Sequence, residues 1–155
     1  MDQIGTLHRV SSKILCPIFG ITFISNFNLL SRIYMTELFL KWIKSKGGLK
    51  EMDRRSQVKS KLIYDVIDNS NGFYYNAIEK QSRSRVVVPF RVGGVSGDDL
   101  LEKKFLEQAK SEGMIGLKGH VLVGGIRASL LNGIQIEDAE KLADFMMRFQ
   151  KQNRK

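Results

Sequence analysis

Cysteine, proline and histidine are scarce in this 155-residue chain, which holds one, two and two of them. A single cysteine, Cys16, excludes an internal disulfide and fits a reducing compartment, so a cytoplasmic location is expected. It also rules out a cysteine-based zinc site, and His8 with His120 makes a poor metal set. Long apolar runs are missing too. The best candidate, residues 14–24, is broken by Pro17 and Gly20 and is too short to span a bilayer. His8, Arg9 and Lys13 precede it as in a signal peptide, yet Ser25-Asn26-Phe27 has no small-x-small cleavage pattern. A buried strand or a disordered leader is the expectation for residues 1–32.

Catalytic signatures are equally sparse. Gly93–Gly97 does not fit G-x-G-x-x-G, and Gly119–Gly125 lacks the Lys and Ser/Thr that would complete a phosphate loop. There is no G-x-S-x-G elbow and no His/Cys pair placed for nucleophilic attack. The acidic pairs Asp98-Asp99 and Glu137-Asp138 sit where helix N-termini favour negative charge, which explains them without chemistry. No recognisable nucleic-acid module interleaves basic with exposed aromatic residues, so nucleic acid is not an expected partner.

What the chain does contain is enough apolar residue, 43%, to build one core, with a net charge of +9 that favours anionic partners. From Ile33 a helical pattern appears, with Met35, Leu38, Phe39, Trp42 and Ile43 on its apolar side and Gly47-Gly48 as its stop. A second helix is predicted from about Lys50 to Asp68, burying Met52, Leu62, Ile63, Val66 and Ile67. Its basic residues Arg54, Arg55, Lys59 and Lys61 read as a solvated face. Strands follow at 73–78 and 85–92. Pro89 cannot donate to a ladder, so the second of these should lie at an edge or carry a bulge.

A helix over about 98–112, capped by Asp98 or Ser96, should bury Leu101, Phe105, Leu106 and Ala109. The last helix, near 137–150, should bury Ala139, Leu142, Met146 and Phe149, with a fraying basic tail at 151–155. The order predicts an α/β, α+β-like two-layer sandwich: a small sheet of about four strands with helices packed on one face.

Between the last two helices lies the stretch that organises the chain, residues 117–132. It reads as an apolar strand from Met114 to Leu117, a glycine-broken loop, a strand around Ile126, Ala128 and Leu130, and a turn at Asn132-Gly133. This layout brings His120 and Arg127 to one rim of the sheet. A guanidinium there offers a planar fork to a carboxylate, although a solvated strand arginine is the default reading.

This stretch carries a family resemblance. Lys118-Gly119-His120, Gly124-Gly125-Ile126-Arg127-Ala128-Ser129-Leu130 and Asn132 resemble the C-terminal region of phosphoserine aminotransferases. The agreement extends in collinear order through 67–74, Val88-Pro89-Phe90-Arg91, Gly97-Asp98-Asp99, 101–106 and the ending from Ile136 to Met146. It covers Ile33 to Phe149, so residues 33–150 are expected to form the family's C-terminal small domain.

The resemblance implies a fold-type-I, class V aminotransferase that uses pyridoxal 5'-phosphate. Such enzymes move an amino group from L-glutamate to 3-phosphohydroxypyruvate, giving O-phospho-L-serine and 2-oxoglutarate in serine biosynthesis, and they act as homodimers. By resemblance, Arg127 is the substrate-carboxylate arginine and His120 contacts the substrate phosphate. Asn26 is the candidate for an asparagine that holds the cofactor phosphate of the partner subunit. Departures accompany these matches. Val121 replaces an arginine, Leu131 replaces an aromatic residue, and Phe27 lacks the hydroxyl expected beside Asn26. The domain that carries the aldimine lysine is not represented in the 155 residues. The implied function is therefore a phosphoserine aminotransferase homologue that is not catalytic alone. The alternative is a binding or regulatory module that pairs with a full-length subunit.

Overall fold

The computed structural model describes the backbone of residues 17–120 and 124–154, with side chains from residue 29 onward except that of His120. Contacts divide the chain into two compact units, residues 1–48 and 49–155.

The first unit is described by one long helix, α1 (Pro17–Ser45). Residues 17–32 are helical, which corrects the expectation of a buried strand or disordered leader over that part. Proline is suited to a first helical position, where its missing N–H would have no partner and its fixed φ already matches the helix. Ile43 is buried and Trp42 half-buried, with Phe39 stacked on Trp42 at a centroid distance of 5.9 Å. The rest of the expected apolar side is exposed: Met35 at 63%, Leu38 at 42% and Phe39 at 48%. Leu29, Leu30, Ile33, Tyr34 and Leu40 are exposed as well, so apolar surface runs round the helix rather than along one stripe.

The second unit holds the sandwich. Its helices are α2 (Gly48–Asp68), α3 (Asp99–Ser111) and α4 (Ile136–Asn153). Its strands are β1 (Tyr74–Tyr75), β2 (Val87–Val92), β3 (Lys118–His120) and β4 (Gly124–Ser129). They form one antiparallel sheet in the order β1-β2-β4-β3. The predicted sheet and helices are all present, with shifted ends. The apolar run Met114–Leu117 is not the strand; the positive φ of Gly116, 78°, interrupts its extended backbone, and the more polar Lys118–His120 makes the pairs. The basic tail does not fray at Lys151, since α4 continues to Asn153, whose Nδ2 donates to the Phe149 carbonyl.

Strand alternation puts Val88, Phe90 and Val92 of β2, with Ile126 and Ala128 of β4, on the covered face. The helices meet them through Ile63, Tyr64 and Ile67, through Phe105 and Ala109, and through Leu142, Phe145, Met146 and Phe149. Phe105 is the centre of this core. Its ring sits edge-on to Tyr74, Phe90, Phe145 and Phe149 at centroid distances of 4.9–6.3 Å. Asp98 caps α3, accepting from the Leu100 and Leu101 amides at 2.9 and 3.1 Å. Asp138 supports the start of α4 by accepting from the Gln135 amide at 3.0 Å.

Pro89 lies in a strand with neighbours on both sides, yet no ladder bond is lost. The Leu130 amide donates to the Val86 carbonyl, so even-numbered residues of β2 bond to β4 and Pro89 faces Arg127 in a non-hydrogen-bonded pair. Its nitrogen points toward the β1 side, where β1 has already ended: Tyr75 pairs with Arg91. Locally, Pro89 stands on an edge.

Candidate functional site

The uncovered face of the sheet presents Val87, Pro89 and Arg91 from β2 and Arg127 from β4. Two arginines therefore stand one step apart on neighbouring strands, and their surroundings differ. The half-buried Arg91 donates from Nε to Oε1 of Glu102 at 2.6 Å and lies 3.4 Å from Oδ1 of Asp99. Glu102 is itself buried and accepts from the Val92 amide at 3.2 Å, fixing it to the end of β2. Arg127 is exposed, and its guanidinium has no hydrogen-bond or ion-pair partner among the described residues. Of the two cations, only Arg127 presents its charge outward.

Arg91 also explains the glycines. A Cβ on Gly125, whose φ is 73°, would lie 2.8 Å from Cδ of Arg91 and 2.9 Å from the Phe90 carbonyl oxygen. Across the ladder, a Cβ on Gly119 would run into the carbonyl oxygens of Gly124 and Gly125. The β3–β4 connection thus approaches too closely for side chains at its base, with the Arg91 stem packed beneath. The sequence marked these glycines as breaks but gave no sign of what they pack against. An arginine and a carboxylate eleven positions apart carry no local signature.

The predicted residues are distributed as follows. The His120 backbone, on the outer strand, pairs with Gly124 of the strand that carries Arg127 three residues further along. The His120 side chain, the Asn26 side chain and Val121 lie outside the described residues. Leu131 is exposed just beyond the strand that carries Arg127. A cavity of about 370 Å³ lies off the far end of β4, lined by Met114, Leu117, Leu130, Ile134 and Leu142, and none of the predicted residues enters it.

Lys59 corrects the sequence reading outright. Placed there on a solvated basic face, it is 1% exposed, among the largest fully buried side chains of the described residues. Its Nζ donates to the carbonyls of Leu130, Leu131 and Ile134 at 3.1, 2.8 and 2.8 Å. Desolvation lowers its pKa below the ordinary lysine range; Arg55 on the same helix adds to this, and Asp138 on α4 opposes it. The signal was available. Met52, Lys59, Ile63 and Ile67 fall at seven-, four- and four-residue spacing, so Lys59 occupies the apolar stripe.

The described residues hold no enclosed lysine amine free for pyridoxal phosphate. A site for that cofactor needs a lysine amine free to join the cofactor aldehyde, plus an acid for the ring nitrogen. Lys59 has all three protons on backbone carbonyls, and every other described lysine is exposed on the surface. No group of three potential metal ligands occurs among the described residues. No described helix is long and apolar enough to cross a membrane.

Comparison with known proteins gives a consistent result. No protein-family model matches the chain. The phosphoserine aminotransferase of Drosophila melanogaster is 53% identical over 122 residues, which is 79% of this chain and 34% of that protein. The probable phosphoserine aminotransferase of Caenorhabditis elegans is 56% identical over 119 residues, 77% of this chain and 32% of that one. The chain thus spans about a third of the length of the curated relatives it matches. Among solved structures, phosphoserine aminotransferase from Bacillus circulans subsp. alkalophilus matches with a TM-score of 0.74 and 38% identity, covering 86% of this chain and 37% of that one. The PLP-bound enzyme from Trichomonas vaginalis gives 0.69 and 34%, covering 86% and 39%.

Proposed function

We propose, from the premise that this chain is a phosphoserine aminotransferase homologue over about a third of that family's length, that it supplies the substrate-side wall of such an enzyme. The reaction is transfer of an amino group between L-glutamate and 3-phosphohydroxypyruvate, yielding O-phospho-L-serine and 2-oxoglutarate. One observation carries the reading. Of two arginines on the uncovered sheet face, Arg91 is neutralised by Glu102 and Asp99, while Arg127 has no described partner.

In this reading Arg127 grips the substrate carboxylate through two parallel N–H···O bonds, fixing the carbon skeleton's direction. His120 donates a ring N–H to a phosphate oxygen. Val121 supplies no charge beside it, so the phosphate grip is weaker than a histidine–arginine pair by a charge-assisted bond, about 1.5–3 kcal/mol. Cofactor chemistry belongs to a different set of residues, including a lysine that forms a Schiff base and a partner-subunit asparagine for which Asn26 is the candidate. The chain by itself is proposed to be non-catalytic and to act in the cytoplasm within a dimer.

A second reading has its own support. The apolar surface of α1, exposed all round the helix, favours a module that associates with a full-length aminotransferase subunit and modulates it. The test is an aminotransferase assay on the chain, with and without a full-length subunit. No turnover alone, with turnover changed by co-purified chain, supports association. Turnover of phosphoserine by the chain alone, with a borohydride-trapped adduct at one lysine, overturns the non-catalytic reading.

A further inference from the structure

Arg127 and His120 are held in place by different means. The Arg127 amide donates to the Leu117 carbonyl at 2.7 Å, and Arg127 stands opposite Pro89, so the chain flanks it on both sides. His120 ends β3, the edge strand, and its ladder partner is Gly124. Gly124 and Gly125 have φ of 72° and 73°, outside the range of an extended strand, so the ladder alone does not fix them.

Arg91 is what lies against this backbone. A Cβ on Gly125 would fall 2.8 Å from its Cδ, and one on Gly124 would fall 3.5 Å from its Nη1. A Cβ on Gly97, in the loop before α3, would run into the same guanidinium. The Arg91 side chain thus fills the space beside glycine backbone from two separate segments. Its own place is set by Glu102, which accepts from Nε at 2.6 Å and from the Val92 amide at 3.2 Å. A buried carboxylate with a charge-assisted bond leaves the guanidinium little freedom to swing out.

We propose that Arg91, braced by Glu102, is a positioning residue for the phosphate end of the site: it packs Gly124 and Gly125 into place and so sets where the His120 backbone stands. The proposal rests on the reading of His120 as the residue that contacts phosphate. Arg91 does not bind the ligand, since Glu102 and Asp99 already meet its charge. It acts through shape, and positions 97 and 125 are glycine because a side chain at either would displace it. Arg127, held by its own ladder, does not depend on this contact.

The test uses the full chain, with inorganic phosphate and L-glutamate as separate probes in NMR titrations. Phosphate is followed at the His120 ring and L-glutamate at the Arg127 side-chain N–H. Wild type should bind both; His120→Gln should abolish the first response and Arg127→Gln the second. Glu102→Gln keeps the shape and an acceptor for the Val92 amide but removes the charge that holds Arg91. Gly97→Ala pushes on the guanidinium from the loop before α3. Each should lower the amide order parameters of Gly124 and Gly125 and weaken phosphate binding about threefold to tenfold. L-Glutamate affinity, and the order parameters of Ile126 and Ala128 inside the ladder, should stay at wild-type values. Two variants in separate segments keep the proposal open to refutation if one fails to fold.

Unchanged phosphate affinity despite lowered order parameters overturns the proposal. So does an equal loss for both probes, which would mark a general loosening of the domain. Unchanged order parameters at Gly124 and Gly125 show that Arg91 is no clamp and overturn it as well. Absence of a phosphate response in wild type overturns the His120 reading and the positioning role with it. The order parameters then still decide whether Arg91 holds the backbone.

Discussion

The helices α1 and α2 invert the usual relation between residue type and burial. α1 carries eight of the seventeen exposed large apolar side chains among the described residues, whereas α2, far more polar, hides a lysine completely. The difference teaches that burial is decided by what lies opposite, not by what the side chain would prefer. α2 faces a sheet, two helices and a turn with three carbonyls to satisfy, so even an ammonium can be enclosed there. α1 has no such layer among the described residues, and its leucines stay in water.

The sharpest way to break this comparison is to make one substitution in both regions. Phe105→Ala, at the centre of the sandwich, should cost about 3–5 kcal/mol in urea unfolding. Phe39→Ala on α1 should change stability by under about 0.5 kcal/mol, as exposed positions do. Equal effects would mean that α1 is covered after all.

Next in size is Lys59→Met, which leaves three carbonyls without donors and should cost about 1–3 kcal/mol. Its pH dependence has a fixed sign. Folded Lys59 has the lower pKa, so in the window between its folded value and the ordinary lysine value the unfolded chain binds more protons. Wild-type stability relative to Lys59→Met should therefore rise as pH climbs through that window, widening the gap between them. A gap that narrows would show that the ammonium is favoured, not penalised, by its surroundings.

Asp98→Ala should cost about 1 kcal/mol by removing two amide acceptors at the start of α3, read as a lower thermal midpoint. The smallest effect belongs to the exposed start of α2. Hydrogen bonds from Arg54 and Arg55 hold the Glu51 carboxyl at about 2, well below its ordinary value. Whatever this cluster contributes is present above the unfolded pKa and fades as pH falls toward 2, so amides of the first α2 turn should lose hydrogen-exchange protection over that range. Glu51→Gln should remove the pH dependence.

Much of the sandwich was legible because its signals are local. Phe105, Ala109, Ala139, Leu142, Met146 and Phe149 fall on apolar stripes and are buried, and Asp98 precedes its helix as a cap should. What escaped was set by tertiary partners. The apolar stretch before Lys118 looked more like a strand than the polar residues that pair, but the positive φ at Gly116 interrupts it before the pairs begin. Lys59 occupied a core position in the helical period, but residue type outweighed period in the reading. At the site, the sequence suggested one rim for Arg127 and His120, and the fold gives their backbones neighbouring strands. That Arg127 rather than Arg91 has charge to offer depends on Glu102, which only the fold brings beside Arg91.

The free side of β2 has a further consequence. Beyond the end of β1, a strand this close to the surface would ordinarily offer a row of amides and carbonyls to any passing chain. Here the Val87 amide approaches the Ser84 hydroxyl, Pro89 has no amide to offer, and the Pro89 carbonyl is taken by Nδ2 of Asn76. This stretch of β2 is thus closed to a further strand, and copies of this domain are denied that route to edge-to-edge stacking at high concentration.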